Sequence, residues 1–191
     1  MNTTKALSII VSIILTLFII LLSYKIALMI TPLSSSQANV LHFLGDHELL
    51  YQNFTPNEIS HLQDVKAVMQ KTNYVFDLLF IVALFFFLHF YREKELLHKT
   101  LLYTGIMTLS IITILTLGIL LSFNTTFTLF HHLFFPQGNW IFGADSVLIQ
   151  IFPLEFFVRI SITIVTVSLI LGAMSLLAAK KLSYNHTKIF K

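Results

Sequence analysis

Residues 101–123 read LLYTGIMTLSIITILTLGILLSF, an unbroken run without a charged side chain. A spanning helix needs about 20 mainly apolar residues, so this stretch reads as a membrane crossing. Working outward, Tyr74–Phe90 (YVFDLLFIVALFFFLHF) precedes it and Phe156–Ala179 follows it. A further apolar stretch, Ala6–Tyr24, continues to Ile30. The spacing predicts an all-α integral membrane protein. It is a four-transmembrane-helix bundle, with spans at about 6–30, 74–91, 101–123 and 156–179 of a single domain covering 1–191. Composition agrees. Of the 191 residues, 56% are hydrophobic and 11% charged, against about 25% charged in soluble domains. So much apolar surface cannot hide inside one small globule. The first span is longer than a signal-peptide core and no A-x-A-like site follows it, so it reads as a retained anchor with Lys25 snorkelling near its end.

The formal net charge is +3, from 12 basic and 9 acidic residues, and its distribution says more than its size. Lys5, Arg92, Lys94, Lys99, Lys180, Lys181, Lys188 and Lys191 fall on one side of the four spans, and only Lys66 and Lys71 in the connections opposite. The positive-inside rule makes the first side cytoplasmic. Both termini then face the cytoplasm, and the two long connections, Thr31–Asn73 and Asn124–Glu155, face outward. Long connections usually carry function or structure of their own. Five of the eight histidines lie in them: His42, His47, His61, His131 and His132. No cysteine is present, which excludes disulfides, thiol nucleophiles and thiolate metal sites.

The first outward connection contains NFTPNEISHLQDVKAVMQ, residues 53–70. Thr55 is an N-cap, Pro56 suits the first helical position, and Glu58 completes a capping box. Ile59, Leu62, Val65 and Met69 form an apolar stripe at helical spacing, as expected of an extracytoplasmic interfacial helix on the outer leaflet, free to run on into span two. His61 and Asp64, three apart, share a face. A carboxylate near an imidazole raises its basicity and fixes its tautomer, although a solvated polar face has the same pattern.

The second connection contains FHHLFFPQGNWIFGADSVLIQIFPLEFF, residues 130–157. It is too aromatic for a solvent loop and reads as a re-entrant or cap segment, with a turn at PQGN. His131 and His132 enter it, and polar nitrogens among aromatic rings need partners. Asp77 and Arg159 each lie about a turn inside a span, where ionisable groups tend to turn inward and pair. Neither a G-x-S-x-G elbow, a P-loop, GxGxxG nor HExxH is present. A zinc site from His61, Asp64, His131 and His132 fits by ligand type but by no spacing rule.

NFTPNEISHLQDVK, then a span, then FHHLFFPQGNWIF and FPLEFF before the last span, resembles the Lit family, the lipoprotein intramolecular transacylases of Gram-positive bacteria. The resemblance runs along the whole chain in order and spacing. It implies acyl transfer at the outer leaflet of the cell membrane, from the glycerol sn-2 oxygen of a diacylglyceryl-modified cysteine to that cysteine's α-amine. The product is an N-acyl lyso-form lipoprotein. It further implies two important histidines, matching His61 in E-x-x-H-L-x-D-V-K and His131 in F-H-x-L-F-F, with His132 as the alternative for the second. The implied partners are diacylated bacterial lipoproteins and membrane phospholipid. No nucleic-acid partner, metal or cofactor is expected, and a monomer is the default.

Turning an ester into an amide needs no energy source. It needs a base for the amine, a proton donor for the glycerol oxygen and an oxyanion donor. His131 is the expected base and His61 the acid or orienting partner, with an acyl-histidine intermediate as the variant. Asp64 or Asp77 would support them. Trp140, Asn139, Lys66 or backbone amides are the candidate oxyanion donors, and Glu58, His132 and Arg159 complete the supporting set. A non-catalytic membrane subunit or chaperone of a larger complex is the competing class. A haem protein is disfavoured, since only His89 lies within a span.

Overall fold

The computed structural model describes the backbone of residues 3–45 and 49–189 and the side chains of residues 4–45 and 49–183. His47 and Lys191, named above for their sidedness, lie outside the described residues. The described chain comprises α1 (Thr3–Ile30), α2 (Ser35–Leu44), α3 (Pro56–Phe90), α4 (Lys94–Leu121), α5 (Phe123–Phe134), α6 (Val147–Ile151) and α7 (Leu154–Ile189). Helices α1, α3, α4 and α7 are long and apolar enough to cross a membrane. The protein is therefore an all-α, multi-pass membrane protein. In α3 the apolar crossing is the part from Tyr74 onward, and the first 18 residues, 56–73, carry Glu58, His61, Asp64, Lys66 and Lys71.

The chain forms two compact units. The first comprises Met1–Met29, Val75–Thr116 and Ile162–Lys191. Lipid tails are as apolar as leucine, so close packing and interhelical hydrogen bonds must hold such helices together. Ser12 Oγ on α1 donates to the Thr100 carbonyl of α4 at 2.9 Å, and Ser175 Oγ on α7 donates to the Leu101 carbonyl at 2.8 Å. At Gly105 a Cβ would lie 2.9 Å from the Gly172 carbonyl oxygen, so only glycine permits that approach of α4 to α7. Val11, Leu15, Ala83, Phe86, Leu96 and Leu97 form this unit's apolar cluster.

The second unit comprises Ile30–Tyr74 and Leu117–Ser161. Its core is Val40, Leu44, Phe54, Leu62 and Leu148, with Val65 and Met69 packed against it. The apolar stripe of early α3 is thus largely turned onto protein rather than lipid: Leu62 is 2% exposed, and Ile59 alone of the four is 36% exposed. Helix α2 was not anticipated from the sequence. Its signal is a second capping box, in which Ser34 Oγ accepts from the Gln37 amide and Gln37 Oε1 accepts from the Ser34 amide. Gln37 Nε2 then donates to the Ile151 carbonyl at 2.8 Å, tying α2 to α6.

The structure corrects one expectation about charge. Asp77 is exposed rather than turned inward. Asp77 shares its helix side with Tyr74, Leu78 and Ile81, all well exposed, so it projects from an outer face. Depth along a helix does not decide which way a side chain points.

Candidate active site

The site lies wholly within the second unit and is built on the start of α3. The Thr55 amide and hydroxyl donate to Glu58 Oε2 at 2.7 and 2.8 Å, and the Glu58 amide donates to Thr55 Oγ1 at 3.3 Å. The predicted capping box is therefore formed. Glu58 also reaches beyond its own helix. Its Oε1 accepts from Ser146 Oγ at 2.5 Å and from the Leu148 amide at 2.9 Å, at the N-terminus of α6. Burial to 1% exposure pushes the Glu58 carboxyl up, but the bonds from Ser146, Leu148 and Thr55 outweigh it and bring it down to about 2. Glu58 is an ionised brace fixing α3 against the second connection.

One turn later His61 enters an aromatic enclosure. It is 6% exposed. Its ring lies edge-on to Phe135, with centroids 4.9 Å apart, and 5.7 Å from Phe142. His131, in the last turn of α5, is 8% exposed. The two imidazoles are stacked with centroids 6.2 Å apart and planes inclined by 29°. Phe127, Phe130, Phe135 and Trp140 surround His131, the closest centroid being that of Phe127 at 3.9 Å. The sequence left His131 and His132 as alternatives. His131 faces His61, whereas His132 is exposed and lies edge-on to Trp140.

Both buried rings favour the neutral state. Desolvation, reinforced by the neighbouring His131 and opposed by Asp64 and Asn139, lowers the His61 pKa to about 4. Desolvation likewise lowers that of His131, against the opposing bond to the Phe127 carbonyl. That bond, from Nδ1 at 2.8 Å, also sets the tautomer. A carbonyl oxygen only accepts, so the proton sits on Nδ1 and Nε2 of His131 keeps its lone pair.

Asp64 does not hold His61 directly. Its Oδ2 accepts from Gln137 Nε2 and from Asn139 Nδ2, both at 2.6 Å. Asn139 Nδ2 also donates to Ser60 Oγ at 3.2 Å. The PQGN turn that delivers these partners is formed: the Gly138 amide donates to the Phe135 carbonyl, and Gly138 takes φ +78°, which suits glycine. Nothing periodic in the sequence links Ser60, Phe135 or Gln137 to such long-range partners.

Of the candidate oxyanion donors, Asn139 is committed to Asp64 and Ser60, and the Lys66 ammonium lies 4.4 Å over the Phe43 ring. Trp140 Nε1 is buried and finds no hydrogen-bond partner among the described residues. Among the described residues, no three of His, Asp and Glu gather in an arrangement able to hold a metal ion.

Comparison with known proteins bears on this arrangement. Residues 38–157, more than half the chain, match the family model described as lipoprotein intramolecular transacylase Lit. The chain superposes on the solved structure of the membrane-integral lipoprotein intramolecular transacylase Lit from Bacillus cereus with a TM-score of 0.79 and 19% identity, covering 98% of this chain and 99% of that one. A variant of the same protein with a histidine changed to arginine gives a TM-score of 0.76 at 17% identity, covering 98% and 95%. At these identities the likeness concerns the fold. An uncharacterized protein of Aquifex aeolicus is 27% identical over 128 residues, 64% of this chain and 55% of that protein. The chain thus spans about half the length of this curated relative.

Proposed function

Because this chain belongs to the lipoprotein intramolecular transacylase (Lit) family, we propose that it is a membrane acyltransferase acting on the lipid-modified N-terminus of bacterial lipoproteins. In this reading the second unit faces outward at the outer leaflet of the cytoplasmic membrane, as the lysine and arginine distribution favours. The substrate is a diacylglyceryl cysteine. The sn-2 acyl chain leaves the glycerol oxygen and bonds to the cysteine α-nitrogen, giving an amide and a free glycerol hydroxyl.

The observation that carries this reading is the pair of buried, neutral imidazoles facing each other at 6.2 Å. Two protons must leave the ammonium nitrogen during the reaction. The first frees the lone pair that attacks the ester carbonyl. The second leaves as the tetrahedral adduct becomes an amide, and the glycerol oxygen takes up one. Imidazoles that are neutral at pH 7 suit both removals. His61 takes the first proton and passes it to water. His131, with Nε2 unprotonated, takes the second and delivers it to the departing glycerol oxygen. Trp140 Nε1–H, a donor without an acceptor, serves the oxyanion. Attack within one molecule gains from proximity. The aromatic enclosure limits access of water, which would hydrolyse the ester instead.

The test is incubation of the purified protein with a synthetic diacylglyceryl peptide. Intramolecular transfer gives a product of unchanged mass, a blocked α-amine and fragment ions carrying one acyl group on nitrogen. Recovery of the peptide with its amine still free, or release of fatty acid alone, would contradict the reading.

A further inference from the structure

Three buried polar atoms close to the reacting pair lack hydrogen-bond partners among the described residues: His61 Nδ1, Asn139 Oδ1 and Trp140 Nε1. Buried polar atoms left open in a native structure call for an explanation. Trp140 Nε1 has been assigned above, and the other two explain each other.

The orientation of the Asn139 amide is dictated chemically. An ionised carboxylate only accepts, so Asp64 Oδ2, at 2.6 Å, must face the amide NH2. The second proton of that NH2 lies toward Ser60 Oγ. Gln137 holds the same carboxylate oxygen from another side. The NH2 is thereby fully used, and Oδ1 is left as an acceptor with a fixed direction. The neutral imidazole of His61 has one N–H to offer, and Asn139 acts on it as a hydrogen-bonding neighbour that favours its charged form. Neither atom has a hydrogen-bond partner among the described residues, and a bond from one to the other satisfies both.

We propose that Asn139 is a positioning residue, oriented by Asp64, that holds the His61 proton on Nδ1 and so leaves Nε2 as the basic atom. Asp64 orients the amide, in addition to the effect of its charge on the ring. His131 has the same arrangement in simpler form, its Nδ1–H held by the Phe127 carbonyl. Both histidines of the pair then present the same nitrogen as base. A ring held in the wrong tautomer would offer an N–H where a lone pair is needed. The inference rests on the reading of His61 as a reacting base.

The test uses the full-length protein in detergent micelles with 15N-labelled histidine imidazoles, the His61 signals being assigned by their loss in His61→Gln. At pH 7.5 the unsubstituted protein shows a protonated Nδ1 and an unprotonated Nε2. Asn139→Ala shifts His61 toward the Nε2–H form or a mixture. Asp64→Ala, which leaves Asn139 in place but unoriented, does the same, whereas Asp64→Asn, still able to accept from the Asn139 amide, retains the original form. In the acyl-transfer assay Asn139→Ala and Asp64→Ala lower kcat about 10- to 100-fold with little change in KM. An unchanged His61 tautomer in both alanine variants overturns the proposal, even if their activity falls. A tautomer that follows these substitutions supports it. If the unsubstituted protein then transfers no acyl group, only the functional reading fails.

Discussion

The imidazoles of His61 and His131 lie stacked with centroids 6.2 Å apart, one carried by the second turn of α3 and the other by the last turn of α5. Each is nearly buried, and aromatic rings make up most of their shared surroundings. Two bases that favour neutrality and share an enclosure cannot readily both hold a proton, which suits a reaction that handles protons in sequence.

The histidines should separate sharply on substitution. His61→Ala and His131→Ala are each expected to lower transfer at least about 100-fold. His132→Ala, altering an exposed ring next to the pair, is expected to stay within a few-fold of the unsubstituted rate. Quantifying the blocked-amine lipopeptide for each variant, normalised to its membrane level, decides this. Comparable losses at His131 and His132 would sink the assignment.

Trp140→Phe keeps an aromatic ring and removes only the N–H. The expected effect is a fall in kcat of about 100-fold with KM nearly constant, the mark of an interaction made chiefly in the transition state. A change confined to KM would instead assign the indole to ground-state binding.

The pH dependence follows from the lowered histidine pKa values. A folded-state pKa of about 4 for His61 lies below its unfolded value, so the unfolded chain binds more protons between the two. The second unit therefore keeps this contribution to its stability above about pH 6.5. It loses it as the pH falls toward 4. In the proposed mechanism the neutral imidazole is the active base, so the acid limb of kcat should fall below the range of an ordinary histidine. Rate and Tm measured from pH 4 to 8 test both signs. A limb midpoint above pH 7 would contradict them.

Glu58→Gln tests the brace. The carboxylate accepts four hydrogen bonds at 1% exposure. An amide in its place turns an NH2 toward at least one of those donors. The expected cost is about 2 kcal/mol, seen as a lower Tm and earlier protease cleavage around α6. An unchanged Tm would show that the brace is dispensable.

How far the sequence disclosed this arrangement depended on the range of each interaction. The spans are legible because hydropathy is local, and the start of α3 because Thr55, Pro56 and Glu58 lie within one turn. The capping box at Ser34 and Gln37 is equally local, but no long apolar run follows it to mark a helix. What Glu58 does beyond its own helix was not legible. Its bond to Leu148 joins residues 90 apart, and no spacing rule links them. The same holds for Asn139 and Asp64, which lie 75 residues apart. Asp77 misled for the opposite reason: the cost of a charge at depth is real, but this aspartate sits on an outer face. The choice between His131 and His132 needed the geometry of α5, where successive residues point about 100° apart.

The most direct test of the central claim is to express the gene in a host whose lipoproteins are diacylated with a free α-amine, and to sequence a lipoprotein's N-terminal lipopeptide by mass spectrometry. The account predicts one acyl chain on the cysteine nitrogen, one on glycerol and an unchanged total mass. It also predicts a return to the free amine when His61 or His131 is replaced by alanine. A free amine with the unsubstituted protein well expressed in the membrane would contradict it.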